Sequence, residues 1–193
     1  MCCWVFRVHQ ELVDFGKQVG KLKKLARKGW VSSVGVRKPE SVADHSFRCA
    51  ILAMCLSDLK GLDSDKLMRM ALLHDLHEVV MGDLDYSDKQ RMGEVEVKRR
   101  EKAAIREVFA VLPEPLRSRY IAIMDEYRLQ QTEEAMLVRQ VDLVEMVMQA
   151  LEYEKRDGYS KTKLAPFWGN IEDKLGDYDL KSVFDLLRKE KQT

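Results

Sequence analysis

Residues that break helices or cross-link chains are scarce in this sequence of 193 residues. It has only 4 prolines and 10 glycines, so long helices can run with little interruption. Its four cysteines, Cys2, Cys3, Cys49 and Cys55, show neither a disulfide framework nor a CxxC pair of the kind that binds zinc. No apolar run approaches the roughly 20 residues that span a bilayer. These absences argue against a disulfide-stabilised secreted domain and against a transmembrane protein.

Excess charge and targeting signals are lacking too. The net charge is +1, which predicts no strong attraction to nucleic acid, and the N-terminus shows no basic-then-apolar signal pattern. We therefore expect a cytoplasmic protein without a nucleic-acid or membrane partner. Residues 1–40 nevertheless carry nine Lys and Arg against three Asp and Glu. This excess could draw an anionic ligand such as a phosphate, although a solvated basic helix face explains it equally well.

Helical periodicity dominates the chain, and no stretch alternates as a strand does. The pattern predicts an all-α single domain of seven to eight helices. Ser41 is expected to cap a helix of about 18 residues that ends at Gly61, and Asp63 or Ser64 to cap a helix that runs to Gly82. The other helices are predicted at residues 5–26, 115–130, 133–156 and 179–190, with a charged helix that ends near 112 and a polar loop at 83–90.

Two adjacent polar residues, His74 and Asp75, lie inside an apolar stretch that runs from Met68 to Glu78. Desolvating such groups is costly unless something pairs with them, and a divalent cation would pair with both. His45 and Asp142 lie in similar apolar surroundings. His45 is 29 residues before His74, and Asp142 is 67 residues after Asp75. If these four side chains meet, they predict a metal site.

Each of these residues also has a simpler interpretation. His45 alone would more often be a hydrogen-bonded histidine at the edge of a core. Cys49 lies four residues later on the same helical face, so a His/Cys zinc pair is conceivable, although buried cysteines are common core residues. Asp142 could pair with an arginine from another helix. Four such coincidences on three core helices are harder to explain than one.

The order His45, His74-Asp75, Asp142 resembles the H…HD…D signature of the HD-domain metal-dependent phosphohydrolase superfamily. The flanking segments are similar to those of its small branch of 5′-deoxynucleotidases: Pro39-Glu-Ser-Val-Ala-Asp-His45, His74-Asp-Leu-His-Glu78, Gly82-Asp-Leu84, and residues 143–154. The resemblance implies a single HD domain over residues 1–193, with a metal-binding core at about 25–155 and a C-terminal helical tail at 156–193.

The resemblance also implies a reaction. It is the removal of the 5′-phosphate from deoxyribonucleoside monophosphates, with one divalent ion (Mn, Co, Fe, Zn or Ni) that activates the attacking water. The implied metal ligands are His45, His74, Asp75 and Asp142. Glu78, one turn beyond His74, would orient or deprotonate the water, although a solvated acid at a helix end is its simpler interpretation. Asp83 would bind the sugar hydroxyl or supply a proton to the leaving alkoxide.

Substrate contacts are less well defined. Trp30 matches a tryptophan that packs against the sugar in the family, and Arg27 and Arg37, with Lys28, are phosphate-binding candidates. Glu145 and Gln149 lie on the face of Asp142 and are expected to support the site. A homodimer is expected from the family, although Phe167, Trp168 and Phe184 could instead complete the monomer's core. The alternatives are an HD hydrolase of another nucleotide and a non-catalytic nucleotide- or metal-binding module.

Overall fold

The computed structural model describes the backbone of residues 2–192 and the side chains of residues 8–192, so Cys2 and Cys3 lie outside the described side chains. Within these residues the chain forms ten α-helices and no strands, which confirms the all-α prediction. They are α1 (Cys2–Val19), α2 (Val42–Lys60), α3 (Ser64–Leu73), α4 (Glu78–Met81), α5 (Tyr86–Met92), α6 (Glu94–Phe109), α7 (Leu116–Leu129), α8 (Glu133–Lys155), α9 (Lys161–Leu164) and α10 (Tyr178–Gln192). Seven are long, and the three short ones, α4, α5 and α9, account for the excess over the predicted number.

Helix α2 begins and ends where the sequence predicts. The Ser41 hydroxyl accepts a hydrogen bond from the Asp44 backbone N–H at 3.1 Å, and the Asp44 carboxylate accepts one from the Ser41 backbone N–H at 2.9 Å. This reciprocal capping box fixes the first turn of the helix. At the other end, Gly61 adopts a left-handed conformation with φ 68°. His45 is thereby held in the first turn of a well-defined helix.

The helix predicted to carry His74 and Asp75 is interrupted at the doublet. Helix α3 ends just before it, and residues 74–77 form a turn. The N–H groups of Leu76 and Glu78 donate to carbonyls three residues back, at 2.9 and 3.0 Å, rather than four. The prediction of a continuous helix to Gly82 is therefore wrong. The tighter turn changes the directions of both side chains from those of a regular helix.

The prediction of a polar loop at residues 83–90 is also wrong in part, because α5 begins at Tyr86. Asp85 caps this helix by accepting a hydrogen bond from the Asp88 backbone N–H at 2.9 Å, and Asp88 completes a capping box. A helix of seven residues with no buried side chain leaves no apolar periodicity to detect.

Helix α8 lies at the centre of the molecule, against α2, α3, α7 and α10. The main core joins apolar residues of these helices and includes Leu180 and Phe184 of α10. The C-terminal segment therefore completes the core of the monomer, as one alternative predicted. No helix in residues 2–192 is both long and apolar enough to cross a membrane.

Two short backbone contacts bring the segment before α2 toward the helix start. The N–H of Arg27 donates to the carbonyl of Glu40 at 3.1 Å, and the N–H of Val42 donates to that of Leu25 at 2.8 Å. They flank an isolated antiparallel bridge between Ala26 and Ser41. The bridge positions Arg27 beside the first turn of α2.

Candidate active site

The structure brings His45, His74, Asp75 and Asp142 together. Nε2 of His45 lies 3.3 Å from Oδ1 of Asp142 and 3.7 Å from Oδ2 of Asp75. Nε2 of His74 lies 3.3 Å from the same Asp75 oxygen, and the two imidazole rings are 5.3 Å apart. Three separate parts of the fold therefore converge: α2, the turn after α3, and α8.

Hydrogen bonds orient both imidazoles in the same way. Nδ1 of His74 donates to the carbonyl of Ala71 at 2.7 Å, and Nδ1 of His45 donates to the Glu145 carboxylate. Because these acceptors have no proton to give, each Nδ1 carries a proton, and each Nε2 faces the carboxylates. Nε2 of His74 is buried and has no hydrogen-bond partner among the described residues.

Three pairs of donor atoms among these four side chains are spaced as they would be around a divalent cation. A tetrahedral ion with bonds of about 2.1 Å holds its donor atoms about 3.4 Å apart. The separations of His45 from Asp142, His74 from Asp75 and His45 from Asp75, at 3.3, 3.3 and 3.7 Å, are close to that spacing. Burial lowers the pKa of His45, but hydrogen bonds to Asp142, Cys49 and Glu145 hold it well above its usual range. The groups around His45 thus favour a positive charge at this position.

Cys49 does not extend this donor set, although it lies close to both histidines. Its sulfur is 3.9 Å from Nδ1 and 3.7 Å from Nε2 of His45. A sulfur in front of one ring nitrogen would be much farther from the other, so the thiol lies against the ring and not along a lone pair. Burial raises the pKa of the thiol to about 12, which keeps it protonated. The conceivable His/Cys zinc pair is therefore not favoured.

A chain of charged groups holds His45 from behind. Glu145, which is fully buried, contacts His45 with one oxygen and accepts a hydrogen bond from Nε of Arg48 with the other, at 2.9 Å. Arg48 also donates to Gln149 at 2.6 Å and to Glu152 at 2.7 Å. Such contacts behind a histidine fix its ring orientation and tautomer. Glu145 and Gln149 thus lie where a supporting role requires them, and Arg48 joins them.

A second charged cluster lies on the other side of Asp75. Nη1 of Arg27 is 2.8 Å from Asp75, 3.8 Å from Glu78 and 3.9 Å from Asp83. Oδ2 of Asp83 also accepts a hydrogen bond from the backbone N–H of Lys28 at 2.5 Å. Glu78 and Asp83, the predicted catalytic residues, therefore lie beside Asp75 and share its contact with Arg27.

The two carboxylates nearest Arg27 have opposite acidities. Burial raises the pKa of Asp75, but electrostatic interactions with His74, Arg27 and His45 outweigh it and hold the pKa well below its usual range. Burial, with the negative charges of Asp75 and Asp83, holds the pKa of Glu78 well above its usual range. One carboxylate is thus suited to remain charged and the other to take up a proton.

Trp30, the predicted sugar contact, is packed among other side chains. The residue is 2% exposed and its ring stacks on Phe167 at a centroid distance of 4.2 Å. Tyr153 meets the indole edge-on at 5.2 Å, and Nε1 donates to Glu40 at 2.9 Å. As packed, the ring has almost no exposed surface. The tryptophan is a core residue of the segment before α2.

Arg37 is not brought to the site. It lies with Lys38, Asp157 and Tyr159 around a separate surface cavity, and its backbone N–H donates to the Tyr159 hydroxyl at 3.0 Å. Of the predicted phosphate-binding candidates, Arg27 reaches the cluster and Arg37 does not. Arg37 lies instead near residues that follow the C-terminal end of α8.

Besides Arg48, a second charged residue of the site was missed in the sequence. Arg139 lies one turn before Asp142 on α8 and donates from Nη1 to Oδ2 of Asp142 at 2.7 Å. Its side chain is 53% exposed, whereas that of Asp142 is 12% exposed. The sequence interpretation considered an arginine from another helix. The spacing of three residues on one helix was the available signal.

Comparison with known proteins identifies the family of this chain. The family model described as HD domain matches residues 19–180. The human 5′-deoxynucleotidase HDDC2 is 35% identical over 95% of this chain and 88% of its own length. The 5′-deoxynucleotidase HDDC2 of Dictyostelium discoideum is 39% identical over 84% and 89%. A solved structure, a conserved hypothetical protein from Pyrococcus furiosus, superposes with a TM-score of 0.76 at 32% identity, over 92% of this chain and 99% of that one. This chain belongs to the HD domain family.

Proposed function

We propose that this protein is a metal-dependent 5′-deoxynucleotidase, which hydrolyses the phosphate ester of deoxyribonucleoside 5′-monophosphates. The observation that carries the proposal is the buried group of two imidazoles and two carboxylates with Glu78 and Asp83 beside it. Its HD family relatives named 5′-deoxynucleotidases support the substrate class.

In this proposal His45, His74, Asp75 and Asp142 hold one divalent ion. When bound, the ion polarises the phosphoryl group and lowers the pKa of the attacking water. A donor set of nitrogen and oxygen without a thiolate suits Mn²⁺, Co²⁺, Fe²⁺, Zn²⁺ or Ni²⁺.

Glu78 is the proposed proton acceptor. Its Oε2 is buried and has no hydrogen-bond partner among the described residues, and Arg27 lies 3.8 Å from its Oε1. A base works best when its pKa lies near the working pH, and the surroundings of Glu78 raise its pKa in that direction. Glu78 would take the proton from the attacking water.

Asp83 is proposed to act at the sugar side of the scissile bond. The Lys28 N–H holds one of its oxygens, so the carboxylate has a fixed direction. It either binds the sugar hydroxyl or returns a proton to the 5′-oxygen that leaves. Replacing Asp83 with Asn separates the two roles: an amide still bonds a hydroxyl but cannot deliver an acidic proton.

The remaining expectations form part of the same proposal. Residues 1–193 would act as one HD domain, which the packing of α10 against α8 supports. A homodimer, a cytoplasmic location and a small-molecule partner in place of a nucleic acid are proposed from the family resemblance. A non-catalytic module is less well supported, because the ligand residues and Glu78 all stand together.

The test is a panel of ribo- and deoxyribonucleotides, as mono- and triphosphates, assayed for phosphate release after the metal is stripped and single ions are restored. We expect release from deoxyribonucleoside monophosphates only when a divalent ion is present. No release from any nucleotide by the fully loaded protein would refute the enzymatic proposal. Faster release from triphosphates, or equal rates on ribo- and deoxyribonucleotides, would refute the substrate class.

A further inference from the structure

A nucleotide phosphate needs a cation that is free to bind it, and the site offers two arginines. Arg27 lies within 3.9 Å of three carboxylates, those of Asp75, Glu78 and Asp83, and its side chain is 18% exposed. Its charge is therefore more than matched by its own neighbours. Arg27 holds the carboxylates of the site together and has little attraction left for a second anion.

The nearest lysine is engaged as well. The ammonium of Lys28 contacts the Asp88 carboxylate, and Asp85 also acts on its charge. Asp85 and Asp88 form the cap of α5, so the lysine is tied to the start of that helix. Lys28 contributes its backbone N–H to Asp83 rather than its ammonium to the centre of the site.

Arg139 is different in both respects. Its ion pair is with one carboxylate, that of Asp142, at 2.7 Å, and its side chain is half-exposed. A guanidinium has five N–H donors in a planar fork, so its contacts with Asp142 and with the Tyr127 hydroxyl leave further donors on a half-exposed side chain. Asp142 is itself 3.3 Å from Nε2 of His45. The Arg139 guanidinium is therefore joined through Asp142 to the proposed metal centre.

We infer that Arg139 binds the phosphate group of the substrate, while Arg27 is a positioning residue; this assignment rests on the proposed function. The Asp142 carboxylate fixes the plane of the guanidinium, so that its remaining N–H groups can form a charge-assisted pair with phosphate oxygens. The contact between Arg139 and the phosphate group stabilises the bound substrate and the transition state to the same extent.

The test measures the binding of inorganic phosphate to the metal-loaded protein by calorimetry, beside steady-state kinetics on a deoxyribonucleoside monophosphate. Losing a charge-assisted hydrogen-bonded contact costs about 10- to 100-fold in affinity. We expect Arg139→Gln to weaken the binding of inorganic phosphate by that factor. KM should rise by a similar factor, and kcat should change much less. Arg139→Lys should recover part of the loss, because a point charge binds phosphate without the fork.

The matched control is Arg156→Gln. Arg156 ends the same helix, about 25 Å along the axis from Arg139, and it also pairs with one carboxylate, that of Glu152 at 3.9 Å. This variant should bind phosphate as the unchanged protein does. The metal affinity of each variant is titrated in parallel. This measurement distinguishes a loss of phosphate binding from a loss of support for Asp142.

Unchanged phosphate affinity in Arg139→Gln, at saturating metal, would overturn the assignment. Weaker metal binding with normal phosphate affinity would show that Arg139 only holds Asp142, and would overturn it too. If the unchanged protein hydrolyses no nucleotide, the proposed function fails separately, since the comparison of phosphate affinities still decides the role of Arg139.

Discussion

Replacement of Glu145 tests how the metal site is held. Glu145 is fully buried and joins the His45 imidazole to the Arg48 guanidinium. In Glu145→Gln the amide keeps the shape of the side chain but loses the charge that favours the proton on Nδ1 of His45. Removing such a partner of a metal-binding histidine costs about 10- to 100-fold in metal affinity, or about 1.4 to 2.8 kcal/mol.

Glu145→Ala should in addition weaken the fold. Breaking a buried ion pair costs about 3 to 5 kcal/mol when the remaining charge has no other partner. Arg48 is 28% exposed and keeps its contact with Glu152, so we expect a free energy of unfolding reduced by about 3 kcal/mol, the lower end of that range. Metal affinity is measured by competition with a chelating dye, and stability by urea unfolding of the metal-free protein.

The control for both variants is Glu152→Gln. Glu152 also accepts a hydrogen bond from Arg48, at 2.7 Å, but its side chain is 40% exposed. We expect metal affinity close to that of the unchanged protein and little loss of stability. Wild-type metal affinity in Glu145→Gln would refute the reasoning, because the orientation of His45 would then not depend on its buried partner.

Four further predictions follow from the same contacts. Glu78→Gln should lower kcat by about 100-fold or more with metal content unchanged, and normal turnover at full metal would contradict its role as base. Chelation should abolish phosphate release and a single restored ion should recover it; activity in verified metal-free protein would exclude the proposed mechanism. Trp30→Ala should reduce the free energy of unfolding by about 3 to 5 kcal/mol in urea, since the ring is buried, and a loss below about 1 kcal/mol would contradict its packing. Burial raises the pKa of Asp177, but hydrogen bonds from Lys60 and the Leu180 backbone hold it below its usual range, so its contribution to stability is present above about pH 4 and is lost as the pH falls through the folded value. Asp177→Asn should therefore flatten the acid side of the stability curve, and an unchanged acid side would show that the contact contributes nothing.

The residues that converge on the site could be predicted because they break a strong rule. A histidine or a carboxylate in an apolar helix needs a partner, and His45, His74 and Asp142 each stand out against their neighbours for that reason. Glu145 followed from its spacing of three residues from Asp142. The helix caps at Ser41 and Gly61 were equally readable, because capping depends on local hydrogen bonds and backbone conformation.

The parts that could not be predicted depend on tertiary contacts. The apolar pattern continues through His74 and Asp75, so periodicity gives no sign that hydrogen bonding changes there from four residues to three. Trp30 is buried by Phe167, a residue 137 positions later in the chain. Nothing local distinguishes such a core tryptophan from one that faces a ligand.

The three segments that converge on the proposed metal centre are far apart in the sequence. His45, the turn at 74–77 and Asp142 span almost 100 residues, and α2, α3 and α8 carry or adjoin them. An ion bound there would act as a cross-link that exists only in the folded chain. At a free concentration 100 times its dissociation constant, such a ligand adds about 2.7 kcal/mol to the stability of the native state. The supply of metal would therefore control the resistance of the protein to unfolding and proteolysis, as well as its rate of substrate turnover.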